Sequence, residues 1–240
     1  MKAFILAAGL GTRLGSLTSD KPKALVEVNG KSMLENLVMH LKSQGIQQFL
    51  INVHYFAEKV IQHVKDKNNF GVDISFSDES QELLNTGGAI VKAADFFKGE
   101  EIILVYNVDV ASGMKLVELE NYHKQKNALV TLCVRKRESS RALLFDENMQ
   151  LGGWTNLAKN EYKWVNKPMK NYESFAYSGV YLAQPNFAEK LPFTGRFSII
   201  DAWLKMAATE QIIGFEDRSD YWFDLGTKKK IAAAEMYFNR

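Results

Sequence analysis

Three cations crowd one short glycine-bearing loop near the N-terminus. In ILAAGLGTRLGSLTSDKPKALV, from Ile5 to Val26, Gly9 and Gly11 precede Arg13, and Lys21 and Lys23 flank Pro22. Glycine lets backbone amides approach a ligand closely, and successive amides in such a turn form an anion-binding concavity. A guanidinium fork and an ammonium add charge suited to phosphate oxygens, so Arg13 and Lys23 point to a phosphate guest, with Lys21 as a solvated loop lysine. Two familiar phosphate loops fail on spacing. After Gly9 and Gly11 the third glycine of a dinucleotide fingerprint would fall on Leu14, and no glycine precedes a Lys-Ser or Lys-Thr pair as a Walker loop requires.

Two carboxylates stand where they could serve a metal. Asp109 closes the apolar run EIILVYNVDV, and Asp224 lies in WFDLGT just before a helical pattern. Open α/β sheets place ligand crevices at the carboxyl ends of their strands, which is where Asp109 falls. Two carboxylates completed by water and phosphate oxygens suit octahedral Mg2+. Asp224 also stands near enough to Thr227 to be read as a helix cap. The four histidines, at 40, 54, 63 and 123, show no metal-ligand spacing and read as mostly solvated helix residues. No Ser-His or Cys-His pair suggests nucleophilic catalysis by a side chain.

Such residues need a scaffold, and the pattern around them is that of βαβ units on a mostly parallel sheet. KAFILAA reads as a doubly buried first strand. SMLENLVMHLKSQG reads as a helix, with Ser32 and Glu35 as a capping box, Leu34, Leu37, Val38 and Leu41 on one face, and Gly45 as the stop. QFLINVHY and VDISFSDE follow as strands, AEKVIQHVKDKNN and GGAIVKAADFF as helices, and EIILVYNVDV as a central strand. From Ala128 the pattern turns to strands with fewer helices: ALVTLCVRKR, RALLFDENMQLGGW, YKWVNKP and FAYSGVYLA. Two late helices start at caps, SIIDAWLKMAATE at Ser198 and TKKKIAAAEMYFNR at Thr227. The expected class is α/β, a Rossmann-like mixed, mostly parallel sheet flanked by helices, with a smaller β region.

Composition narrows the partners. The 240 residues carry 30 Lys and Arg against 28 Asp and Glu, a net charge of +2 that makes no bulk case for nucleic acid or an anionic membrane. Cys133 is the single cysteine, which excludes a disulfide framework and predicts a buried, inert thiol. Neither a signal-peptide core nor a membrane-spanning stretch is evident, and the expected setting is cytoplasmic.

LAAGLGTRLGSLTSDKPKAL resembles the signature of the sugar-1-phosphate nucleotidyltransferases, whose G-x-G-T-R loop and downstream Pro-Lys clasp a nucleoside triphosphate. NTGGAI, from Asn85 to Ile90, resembles the glycine turn that frames the base in that family. YNVDV resembles the strand end with a metal aspartate, and WFDLGT the second metal aspartate. Within the family the likeness is greatest to the N-acetylmuramate-1-phosphate uridylyltransferases and mannose-1-phosphate guanylyltransferases.

The resemblance implies transfer of a nucleotidyl group from UTP, GTP or dTTP to a sugar 1-phosphate, with Mg2+ as cofactor. It implies Arg13 and Lys23 as catalytic residues. Leu6, Ala8, Gly9, Gly11, Thr12, Arg13, Lys23, Asn85, Thr86, Gly87, Gly88, Asn107 and Asp109 would bind nucleotide, and Asp109 and Asp224 the metal. Ser178 and Gly179 of YSGV would contact the sugar. Asn166-Lys167-Pro168 stands nearest to the family's Glu-Lys-Pro sugar and acceptor-phosphate motif; alignment from Phe145 and Asp146 instead places that motif at Leu151 to Trp154, leaving Lys167 equally a surface hairpin lysine. A single domain over 1–240 is implied, with a nucleotide-binding half at 1–127, a half at 128–240 for the sugar and the second metal ligand, and no C-terminal β-helix. Ser16 stands where the family has proline, and Val108 where it has glycine. Phosphocholine cytidylyltransferases share the signature, and a regulatory module that binds nucleotide-sugar without turnover is a further reading.

Overall fold

The first strand, β1 (Lys2–Leu6), forms where the sequence is apolar on both faces, and Ala3, Phe4 and Ile5 are completely buried. In the computed structural model, which describes residues 1–239, the chain divides into two compact units. One comprises Met1–Leu83, Val105–Gly113 and the segment from Ser219 onward; the other comprises Leu84–Leu104 and Met114–Arg218. The units are therefore discontinuous in sequence, whereas the sequence pattern divides the chain once, after residue 127.

In the first unit β4 (Gln48–Val53) pairs parallel with β1 and with β5 (Asp73–Asp78). β6 (Ile103–Asn107), whose last three residues belong here, lies on the far side of β1. A short hairpin, β2 (Glu27–Val28) with β3 (Lys31–Ser32), leads into α1 (Met33–Ser43). Ser32 caps α1 as its sequence predicts, the Oγ accepting from the Glu35 N–H at 3.0 Å. Leu34, Leu37, Val38 and Leu41 make its buried face. α2 (Ala57–Asp66) links β4 to β5. The unit closes with β14 (Trp222–Asp224), antiparallel to β7 (Val110–Ser112), and with α6 (Lys228–Phe238).

The second unit is a mixed sheet with α3 (Asn85–Lys92), α4 (Leu116–Lys126) and α5 (Ile199–Met206). β9 (Arg141–Phe145), β10 (Leu151–Asn156) and β11 (Glu161–Trp164) form an antiparallel meander. The long β12 (Glu173–Ala183) pairs antiparallel with β9 and with β8 (Val130–Arg135), and β13 (Ile212–Glu216) runs parallel to β8.

Several elements differ from their sequence reading. EIILVYNVDV is two strands, because the chain turns at Val108 and Asp109 after the Val108 N–H bonds the Leu6 carbonyl at 3.1 Å. RALLFDENMQLGGW is likewise a pair of strands, joined by a turn in which the Asp146 carboxylate accepts from the Asn148 and Gln150 amides. GGAIVKAADFF is helical only to Lys92, and a 3-10 turn at Ala94–Phe97 follows. α4 escaped the sequence reading because it buries only Leu116, Leu119 and His123, a narrow stripe in a charged helix. Among the described residues no helix is long and apolar enough to cross a membrane.

Candidate active site

The cationic loop is held by one apolar plug and one amide network, both in the first unit. Leu14, 1% exposed, packs with Val26, Val28, Met33, Leu225, Ile231 and Ala234, so its neighbours Thr12 and Arg13 are left at the surface. Gly11 has φ +66°, and a Cβ there would meet Lys23 Cβ and Thr18 Cγ2 at 3.0 Å. The Thr18 hydroxyl donates to the Gly11 carbonyl at 3.2 Å. Gly9, by contrast, has open space where a Cβ would stand. Beneath the loop, Asn52 Oδ1 accepts from the Ala7 and Ala8 amides at 2.6 and 3.2 Å, while its Nδ2 donates to Glu79 Oε1 at 2.8 Å. Asn52 and Glu79 are both buried, so the polar backbone that leaves β1 is satisfied from below.

Asp109 and Asp224 are backbone neighbours. Asp224 stands opposite Val110 in the β7–β14 ribbon, and the Leu225 N–H donates to the Asp109 carbonyl at 2.8 Å. Each carboxylate carries a lysine: Lys23 Nζ bonds Asp109 Oδ2, and Lys230 Nζ bonds Asp224 Oδ2. Lys23 is 9% exposed, sparingly solvated for an ammonium, and its carboxylate partner makes that burial tolerable. Arg13 Nη1 lies 4.0 Å from Asp224 Oδ2, with 62% of the arginine side chain exposed. A Cβ on Gly226 would come within 2.6 Å of the Arg13 guanidinium and 2.7 Å of Asp224 Oδ1, so glycine there lets the two approach. Burial acts to raise the Asp224 pKa, but hydrogen bonds from Lys230 and the Gly226 amide, with the charges of Lys230 and Arg13, hold it below the ordinary carboxylate value.

Asp224 is not the cap of the last helix. Thr227 holds that place, with extended backbone and its side chain accepting from the Lys230 N–H at 3.4 Å. Among the described residues no cluster of three or more His, Cys, Asp or Glu side chains is arranged to hold a metal. The donor set at the junction is two hard carboxylates, and this fits Mg2+, which binds few protein ligands and completes its octahedron with water and phosphate oxygens. Leu6 and Asn107 end β1 and β6.

The remaining predicted residues lie in the second unit. Asn85 opens α3 with φ +60°, its Oδ1 accepting from the Thr86 N–H at 2.8 Å. Thr86 Oγ1 accepts from the Ile199 N–H at 3.0 Å. A Cβ on Gly87 would lie 2.1 Å from the Phe197 ring, and one on Gly88 2.2 Å from the Gly195 carbonyl oxygen, so both glycines are demanded by packing. Ser178 and Gly179 sit where the β12–β8 register shifts, and Gly179 has φ +82°. Ser178 is buried with its hydroxyl toward the Cys133 thiol, which leaves only its backbone for a ligand. Burial first, and Asp217 next, push that thiol well above its ordinary pKa, as expected of an inert cysteine. Asn166 and Lys167 occupy an exposed bend after β11 rather than a strand.

Two features are hidden in the local pattern. Lys230 reads as part of a helical run, yet it lies six residues beyond Asp224 and reaches back to it. Asn52 reads as part of QFLINV, where one polar residue in an apolar strand is the available signal. The histidines are also less solvated than read: His40, His54 and His63 are half-buried, and His123 is 3% exposed.

Fold and site together define an α/β protein that sets a cationic glycine loop beside a pair of carboxylates, the equipment of an enzyme acting on polyphosphate. The chain belongs to the nucleotidyl transferase family, whose model matches residues 2–240. An N-acetylmuramate alpha-1-phosphate uridylyltransferase from Caulobacter vibrioides is 30% identical over 239 residues, covering 97% of this chain and 95% of that protein. A mannose-1-phosphate guanyltransferase from Yarrowia lipolytica is 30% identical over 240 residues, and the match spans 99% of this chain but 64% of that relative's length. HddC from Yersinia pseudotuberculosis, solved with GMP-PN, shares the fold at a TM-score of 0.80 and 24% identity, with 99% of each chain covered.

Proposed function

We propose that this protein couples a nucleoside triphosphate to a sugar 1-phosphate, giving a nucleotide-sugar and pyrophosphate. The observation that supports this most directly is the junction in the first unit at which Asp109 and Asp224 meet Lys23, Lys230 and Arg13. In the proposed reaction an oxygen of the acceptor's phosphate dianion bonds to the α-phosphorus, and the bond from that phosphorus to the bridging α–β oxygen breaks, releasing pyrophosphate. Two polyanions must meet, so the barrier is charge repulsion and the protein's task is placement and charge. Arg13 is exposed and presents a fork to the α-phosphate or the leaving pyrophosphate. Lys23, nearly buried, adds a fixed charge beneath the loop. Asp109 and Asp224 would hold Mg2+, which when bound neutralises phosphate charge.

In this reading the loop from Leu6 through Ala8, Gly9, Gly11 and Thr12 to Arg13 lines the triphosphate, with Asn107 and Asp109 at the end of β6. Asn85, Thr86, Gly87 and Gly88 present backbone to the base. Gly179, the Ser178 backbone, Asn166 and Lys167 serve the acceptor. The Caulobacter relative makes UTP with N-acetylmuramate 1-phosphate the first pair to try, and GTP with mannose 1-phosphate the second.

The test is pyrophosphate release across UTP, GTP, dTTP and CTP against a panel of sugar 1-phosphates and phosphocholine, with and without Mg2+. Metal-dependent turnover of at least one sugar 1-phosphate is expected. Turnover of phosphocholine with CTP alone, or of no acceptor, would overturn the proposal.

A further inference from the structure

Both carboxylates assigned to the metal already carry a cation of the protein's own, and one of those cations is half exposed. Lys23, on Asp109, is buried, but the Lys230 side chain on Asp224 is 48% exposed. Lys230 also stands where local physics disfavours it. It is in the first turn of α6 with Lys228 and Lys229 beside it, no acidic residue in that turn, and the positive end of the helix dipole beneath. Three lysines at a helix N-terminus break a local rule, and such violations concentrate at functional sites. Lys228 already reaches the loop, donating to Ser16 Oγ at 2.7 Å.

We infer that Lys230 is a placeholder for the metal's charge at Asp224 and a phosphate ligand once nucleotide is bound. With ammonium groups on both carboxylates, a bare divalent cation entering the free protein must displace Lys230 into water, against the repulsion of Lys23, Lys230 and Arg13. A nucleoside triphosphate changes the balance, because its oxygens accept the released ammonium while supplying the remaining ligands of the ion. The site therefore takes up metal and triphosphate together, and the lysine moves from carboxylate to phosphate as they enter. This inference rests on the assignment of Asp109 and Asp224 to the metal proposed above.

The test uses Mn2+ as the probe, its free fraction followed by electron paramagnetic resonance, with the full chain alone and with α,β-methylene analogues of UTP and GTP. The free wild-type protein should bind Mn2+ weakly, and Lys230→Met should tighten that binding roughly tenfold or more by removing a competing charge at contact distance. With an analogue present the order should reverse: Lys230→Met should weaken analogue binding by roughly tenfold, and Lys230→Arg should restore much of it. Lys230→Gln, with circular dichroism and thermal melts on every variant, guards against an unfolded mutant. If Lys230→Met and Lys230→Gln both leave nucleotide-free Mn2+ affinity unchanged while Asp224→Asn abolishes analogue-dependent binding, the placeholder role is wrong and the metal assignment stands. If Asp224→Asn leaves analogue-dependent Mn2+ binding intact, the metal assignment falls, and the placeholder role with it.

Discussion

At the scale of single residues, Arg13 and Asp224 separate charge from structure. Arg13 is exposed and packs no core, since Leu14 beside it performs that task. Arg13→Ala is therefore expected to keep the melting temperature and to slow turnover by roughly 10² to 10³ through lost transition-state charge. Wild-type turnover in the mutant would take Arg13 out of the mechanism. Asp224→Asn keeps the acceptor that meets the Gly226 amide at 2.9 Å, and Thr227 rather than Asp224 caps α6. Stability should survive this change and metal-dependent turnover should not. Because both carboxylates would act on one ion, an Asp109→Asn, Asp224→Asn double mutant should be scarcely slower than either single one. Additive losses in kcat would show that the two act apart.

At the scale of elements, glycines of similar appearance have different duties. Gly88, in the first turn of α3, packs against the backbone of another segment, and a Cβ would lie 2.2 Å from the Gly195 carbonyl oxygen. Backbone cannot step aside as a side-chain end can, so Gly88→Ala is expected to destabilise by about 1–3 kcal/mol, measured by urea unfolding. Gly9 in the cationic loop has no atom within 4 Å of a built Cβ. Gly9→Ala should melt with the wild type yet raise the nucleotide KM, because the methyl fills space a phosphate would use. An unchanged KM would mean that the loop does not approach its ligand through Gly9.

At the scale of the whole molecule, stability should depend on pH through buried histidine. His123 is 3% exposed with Nδ1 2.7 Å from Thr131 Oγ1, and burial pushes its pKa down to about 4, with Glu120 raising and Lys124 lowering it further. The unfolded chain binds the proton near pH 6.5 and the folded chain does not. Its contribution is thus intact above pH 6.5 and is lost as the pH falls toward 4, by about 3 kcal/mol at the end of that window. Burial lowers His40 and His63 in the same direction. Urea unfolding from pH 7.5 to 4.5 should show a shallower pH dependence for His123→Gln than for the wild type. Equal slopes would place the proton uptake elsewhere.

Most of the elements, and the residues proposed for the chemistry, are legible in local signals. Glycines and cations within one loop, an apolar run closed by Asp109, the Ser32 and Thr227 caps and the spacing along α1 are all set by near neighbours. What depends on distant partners comes from the fold. Asp109 and Asp224 become neighbours through the β7–β14 ribbon, which joins segments more than a hundred residues apart. Lys230 gains its meaning from that meeting, and Asn52 from the two amides it accepts at the end of β1. Gly87 and Gly88, which read as a ligand turn, are required by Phe197 and Gly195. The discontinuous units, with the C-terminal segment returned to the N-terminal unit, follow from long-range strand pairing and packing, which no window of local pattern contains.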